Sequence, residues 1–134
     1  MLDLPDEWTT GTVSSADVDL QYYRTGEGKP IVFAHGFLDT GQRWIPLAEE
    51  LAANYAVIAY DARGHGRSDA PETGYRLADR IGDLHRIVDE LNLDNSVLVG
   101  HSLGSGTVGW AAARQPDLPA GISYRAGLFP RAAE

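Results

Sequence analysis

Gly100-His101-Ser102-Leu103-Gly104 constrains this chain more than any other stretch. Residues 96–99, Ser-Val-Leu-Val, form a short apolar, β-branched run of the kind that is buried on both faces of a parallel sheet. It is too short to be a helix. The G-x-S-x-G match follows at once, and small, helix-compatible residues continue to Ala113. Strand, tight turn, helix is the local fold this pattern demands. A strand that reverses into a helix within about one residue strains the backbone at the serine, so the positions two before and two after it must lack a bulky Cβ. The Ser102 side chain is then held above the carboxyl edge of the sheet, beside free N–H groups of a helix start, where an anion is favoured.

Two earlier segments share this strand-to-loop character. Phe33-Ala34-His35-Gly36-Phe37 closes the apolar run 31–34, and Tyr60-Asp61-Ala62-Arg63-Gly64-His65-Gly66-Arg67-Ser68-Asp69 leaves the run 55–60. These three motifs, in this order and at this spacing on a β/α alternation, resemble the N-terminal half of an α/β-hydrolase, the family of esterases, lipases, C–C bond hydrolases and non-haem peroxidases. The resemblance covers residues 16–117. It implies an α/β fold, a mostly parallel doubly wound sheet with helices on both faces, truncated relative to the complete family fold.

The pattern between the motifs agrees. Residues 17–24 alternate polar and apolar, as in a half-exposed edge strand, and 25–30 make a turn. Trp44, Leu47, Ala48 and Leu51 have helical spacing, with Pro46 confined to a first turn, so the regular helix starts near Ile45. Leu77, Ile81, Leu84, Val88 and Leu91 step by four and three, the spacing of an amphipathic helix over about 76–92. Strands alternating with helices in this way predict a doubly wound sheet.

Residues 1–15 read as an N-terminal extension, 16–117 as a partial domain and 118–134 as an irregular tail. The tail contains Pro119, Pro130, Gly121 and Gly127 and no sustained alternation, which argues against a sheet strand. Without one, residues 96–99 become an open sheet edge, and self-association through that edge is expected.

The resemblance assigns roles residue by residue. Ser102 is the nucleophile. The backbone N–H groups of Phe37 and Leu103 form the oxyanion hole, and His35, Gly36 and His101 line the site, with His35 shaping the loop that presents Phe37. Asp61 and His65 fold the glycine-rich loop, and Arg63 and Arg67 are expected to pair with Asp61 or Asp69. The family triad runs serine, acid, histidine along the chain, and no histidine follows His101. The expected function is hydrolysis of an ester or similar small acyl substrate, with the triad acid and histidine missing; the alternative is a non-catalytic remnant or interaction module of the same fold. Gly104, Gly106 and Gly109 also match G-x-G-x-x-G, but the first lies beyond the strand end and no acid follows about 20 residues on, so a dinucleotide-binding unit fits less well.

Composition narrows the partners. Across 134 residues, 11 basic against 19 acidic side chains give a net charge of −8, which is no footprint for nucleic acid or an anionic membrane. Neutral or cationic partners fit that balance better. There is no cysteine, hence no disulfide, thiolate metal site or catalytic thiol. Neither a metal nor a cofactor is implied, and a cytoplasmic location is expected in the absence of a leader-like or spanning apolar run.

Overall fold

The computed structural model describes residues 4–115 and the backbone of 119–125. Among the described residues, six strands form one sheet in the order β1-β2-β4-β3-β5-β6. They are β1 (Thr9–Ser15), β2 (Val18–Thr25), β3 (Lys29–Ala34), β4 (Tyr55–Tyr60), β5 (Ser96–His101) and β6 (Pro119–Arg125). The hairpin β1-β2 is antiparallel and packs antiparallel onto β4, while β4, β3, β5 and β6 run parallel.

The connections alternate with helices: α1 (Ile45–Leu51) after β3, α2 (Leu77–Glu90) after β4 and α3 (Leu103–Arg114) after β5. Moving from β3 to β4 goes one way across the sheet, and moving from β4 to β5 and on to β6 goes the other. Right-handed crossovers then require α1 on one face and α2 and α3 on the opposite face. The cores show this. Ile31, Phe33, Val57 and Ala59 pack with Trp44 and Ala48 on the α1 side. Val32, Ile58 and Leu98 pack with Ile81, Leu84, Ile87, Val88 and Val108 on the other. Residues of opposite parity in each strand thus serve opposite layers, as the period of two dictates. A 3₁₀ turn over Gly41–Trp44 precedes α1, and Pro46 sits in its first turn as expected.

Two expectations are corrected. Residues 9–15, set apart as an extension, form β1, pair with β2 from Val18 to Arg24 and bury Val13 in the core. Residues 119–125, read as an irregular tail, form β6 parallel to β5 from Ser96 to His101. Pro119 opens that strand instead of interrupting it, and the register shifts where Ala120 and Gly121 enter, so the breakers sit where a strand tolerates them. Pairing with β5 supplies what local propensity lacked. The β5 edge expected to mediate self-association is therefore occupied by β6. Among the described residues, no helix is long and apolar enough to cross a membrane.

Candidate active site

Strands β4, β3 and β5 end in step, with Ala34 opposite Tyr60 on one side and opposite Gly100 on the other. Three chain segments consequently leave the sheet at one level: His35-Gly36-Phe37, Asp61-Ala62-Arg63 and His101-Ser102. Between β3 and β5 the direction of winding reverses, which opens a crevice at the carboxyl ends of the strands. The three motifs singled out in the sequence meet there.

Ser102 joins β5 to α3 with no intervening residue. Its φ of 53° and ψ of −113° place it in a region L-residues rarely occupy. The flanking glycines make this possible. A Cβ on Gly100 would lie 2.4 Å from the Gly104 carbonyl oxygen, and one on Gly104 would lie 2.1 Å from that of Ala34. Ser105 spans the turn, its N–H donating to the Ser102 carbonyl at 2.9 Å and its hydroxyl to the Gly100 carbonyl at 3.1 Å. A serine at a helix N-cap ordinarily bonds the N–H groups below it. Ser102 makes no such bond, so its hydroxyl is not spent on holding the helix.

The loop after β3 is pressed against this turn. A Cβ on Gly36 would lie 2.9 Å from His101 Nδ1 and 3.2 Å from Ser102 Cβ. His35, 2% exposed, fixes the loop. Its Nε2 accepts from the Ala62 N–H at 2.9 Å, which leaves the ring proton on Nδ1 to be donated to the Gly36 carbonyl at 2.6 Å. Burial holds its pKa below the usual imidazole value. With both nitrogens engaged by backbone, His35 is a scaffold residue, not a proton acceptor for Ser102. Phe37 stands at the crevice mouth, 67% exposed, with its ring edge-on to His65 at 5.8 Å.

Asp61 organises the glycine-rich loop as expected. Fully buried, it accepts from the Gly41 N–H at 2.7 Å, the Tyr23 hydroxyl at 2.6 Å and the Arg67 N–H at 2.9 Å. Burial and this carboxylate push the Tyr23 hydroxyl well above its ordinary pKa. Arg63 departs from expectation. It pairs with Asp83 of α2, its Nε at 2.6 Å and Nη2 at 2.7 Å from the two carboxylate oxygens, and Asp83 also accepts from Ser15 at 2.7 Å. Asp61 is already taken by two backbone N–H groups and the Tyr23 hydroxyl. Asp83 was findable from the sequence: it falls between Ile81, Leu84 and Ile87 on the apolar face of α2, and a carboxylate there needs a partner.

These elements match what is known of other chains. The family model for the alpha/beta hydrolase fold matches residues 29–122. The chain belongs to the alpha/beta hydrolase fold family. It is 44% identical over 101 residues to a putative non-heme chloroperoxidase of Synechocystis sp., covering 75% of this chain and 37% of that one. It is 36% identical over 113 residues to the 2-(acetamidomethylene)succinate hydrolase of Mesorhizobium japonicum, covering 84% and 41%. The solved structure of an N-acyl homoserine lactone degrading enzyme superposes with a TM-score of 0.82 at 35% identity, covering 85% of this chain and 44% of that one. The chain thus spans about two fifths of the length of the relatives it matches.

Within this alpha/beta hydrolase domain, Gly36 lies against His101 and Ser102, while Phe37 and Leu103 border one pocket and His35 and Leu103 a smaller one. His101 turns toward the α1 side, its ring edge-on to Trp44 at 6.5 Å. A pocket of about 280 Å³ opens beside Leu103, walled by Phe37, Leu38, His65 and Tyr75, with Arg80 on its border. Leu38, Tyr75 and Arg80 carried no motif, so only the folded chain shows them as neighbours of the elbow. The glycines of the dinucleotide-like match lie inside α3, where Gly104 serves close packing on β3. Among the described residues, no three acidic or histidine side chains converge to hold a metal ion.

Proposed function

We propose that this chain carries the nucleophile and the oxyanion donors of a serine hydrolase acting on an ester or related acyl compound. The observation that carries the reading is Ser102 itself, held at positive φ between two sterically required glycines with its hydroxyl free of any capping bond. A hydroxyl so placed gives its proton to an acceptor and attacks the ester carbonyl carbon, the C–O bond to the alcohol breaks and the alcohol leaves, and water later cleaves the acyl-serine to the acid. The likeness to a lactone-degrading enzyme and to a succinate-derivative hydrolase supports acyl chemistry, since a lactone is a cyclic ester.

The oxyanion that forms on attack is held by the Leu103 and Phe37 N–H groups. Leu103 opens α3, so its N–H has no acceptor within the helix and adds to the positive end of the helix dipole. Phe37 follows Gly36, whose missing side chain lets that loop approach Ser102. One such donor contributes on the order of 10² to 10³ in rate. The proton acceptor is to be sought in the share of the relatives' length that this chain does not span, where the serine, acid, histidine order of the family places it. Without that acceptor Ser102 reacts slowly.

Incubation with an alkyl fluorophosphonate followed by intact-mass analysis tests the reading. One slow adduct is expected on the wild type and none on Ser102→Ala. Equal labelling of both chains would overturn the assignment.

A further inference from the structure

Leu38 occupies a position that a leucine rarely takes. Phe37 and Leu38 are the middle residues of a turn closed by the Asp39 N–H, which donates to the Gly36 carbonyl at 3.2 Å. Leu38 holds the third position of that turn with a φ of 62°, a conformation that favours glycine or asparagine. The other described residues that share a positive φ without being glycine have local reasons for it. Asn92 and Asn95 tolerate it, Ala16 and Asp17 turn the β1-β2 hairpin, and Ser102 is the elbow. Leu38 has no such reason, and with its side chain 82% exposed, packing does not offset the strain. The turn is held from both ends: a Cβ on Gly36 would lie 3.2 Å from Ser102 Cβ, and Asp39 pairs with Arg43 at 3.0 Å. Strain that the surroundings enforce gathers at ligand-binding sites, where the side chain so placed has a use.

Leu38 borders the pocket of about 280 Å³ beside the elbow, together with Phe37, Tyr75 and Leu103. Phe37 and Leu103 are the proposed oxyanion donors, so the pocket adjoins the place of the attacked carbonyl. Whole ligand pockets run to roughly 300–1,000 Å³, and this one suits a single arm of a small substrate. Arg63 and Arg80 also border it. Arg63 is engaged by Asp83 and the Gly74 carbonyl, and Arg80 donates through Nη1 to the Tyr75 carbonyl at 2.9 Å. The wall around Leu38 is mainly aliphatic and aromatic, which matches hydrocarbon better than a polar group.

We infer that Leu38 is a specificity-determining residue: it walls a pocket for an apolar acyl chain of several carbons on the carbonyl that Ser102 attacks. The acyl group, unlike the alcohol, stays on the enzyme through both steps, with its oxygen at the Phe37 and Leu103 N–H groups. The pocket that those two residues border is therefore the one the acyl chain keeps. The inference deepens the acyl-hydrolase reading and rests on it for the attack at Ser102, while the pocket itself is tested without that serine.

Slow acylation by p-nitrophenyl hexanoate and by p-nitrophenyl acetate, which share a leaving group, reads the preference. In each, Ser102 Oγ bonds the acyl carbon, p-nitrophenolate leaves and the hydroxyl proton passes to buffer; peptide mass mapping measures the acyl-Ser102. The wild type should favour the hexanoyl group by about tenfold, since its extra methylenes are partly buried. Leu38→Asn is close in shape, accepts a positive φ and is polar. It should unfold at no lower urea concentration than the wild type and yet cut the preference about threefold or more. Leu38→Met should keep the preference. A wild-type ratio near one, or an unchanged ratio in Leu38→Asn, overturns the inference, and so does a less stable Leu38→Asn chain, because the leucine would then serve the fold. The second measurement follows the amide signals of Phe37 and Leu103 by nuclear magnetic resonance in the Ser102→Ala chain, with 2-octanone and with acetone at equal concentration. 2-Octanone should shift them more, and adding Leu38→Asn should remove the excess. If neither ester acylates Ser102, the hydrolase reading fails, and the ketone titration decides alone: no excess shift overturns the pocket.

Discussion

A Cβ on Gly104 would press into the backbone carbonyl of Ala34, whereas one on Gly106, two residues further along α3, would meet nothing within 4 Å. Backbone cannot move aside cheaply, so Gly104→Ala should destabilise the chain by about 3 kcal/mol. Gly106→Ala should stabilise it by about 0.5–1 kcal/mol, because alanine loses less backbone freedom in a helix. Urea unfolding of the two variants measures both, and a like-signed effect would contradict the packing described. His35 gives a second prediction at this scale. Protonation would place a proton on Nε2 facing the Ala62 N–H, donor against donor, and burial already lowers its pKa. The unfolded chain therefore binds the proton first as pH falls. The His35 contribution to stability is full above the ordinary imidazole range and is lost from about pH 6.5 downward toward the lowered folded value. A His35→Asn variant should show a shallower loss of stability over about pH 7 to 5 than the wild type. The scaffold role of His35 was legible from the motif; the tautomer was not, because it depends on the Ala62 N–H, which the fold brings to the ring from the neighbouring strand exit.

The Arg63–Asp83 pair belongs to the scale of elements. It ties the loop after β4 to α2, and through Ser15 to the end of β1, with Arg63 6% and Asp83 2% exposed. Arg63 also donates to the Gly74 carbonyl at 2.6 Å, which draws the far end of the loop down onto the helix. The Asp83 carboxylate raises the arginine's pKa further, so neither partner can leave the other unpaired without cost. Asp83→Ala should destabilise by about 3–5 kcal/mol, since a buried cation is stranded. Replacing both, as Arg63→Met with Asp83→Leu, should cost less than the single Asp83 change. Chemical denaturation of Arg63→Met, Asp83→Leu and the double variant decides, and a double variant as weak as the sum of the two singles would show that the pair is not one unit. The sequence revealed α2 through its stepping of Leu77, Ile81, Leu84 and Val88, but gave Arg63 the wrong partner. Spacing along the chain favoured Asp61 and Asp69, and only the packing of α2 across the loop brings Asp83 within reach.

For the whole molecule, β2 was legible from its polar–apolar alternation, although β1 makes it internal and not an edge, and β3, β4 and β5 were legible because strands facing two helical layers keep continuous apolar runs. Strands β1 and β6 escaped for different reasons. The first is mostly exposed, with threonine and serine in place of an apolar alternation, and becomes a strand by pairing with β2. The second begins at a proline and passes through a glycine, and its existence depends on β5 as a template. That dependence runs both ways and yields the last prediction. β6 satisfies the backbone of β5 from Ser96 to His101 on one side. Val97, Leu98 and Val99 offer none of the charges or prolines that protect an open edge. A chain ending at residue 117 would expose that edge and should self-associate more than the 134-residue chain. The −8 charge opposes association, so raising salt from about 0.01 M to about 1 M, which shortens the screening length roughly tenfold, should widen the difference. Size-exclusion chromatography with light scattering across that series makes the comparison. Identical masses for the two chains at every salt concentration would mean that β6 does not guard the edge of β5 in solution.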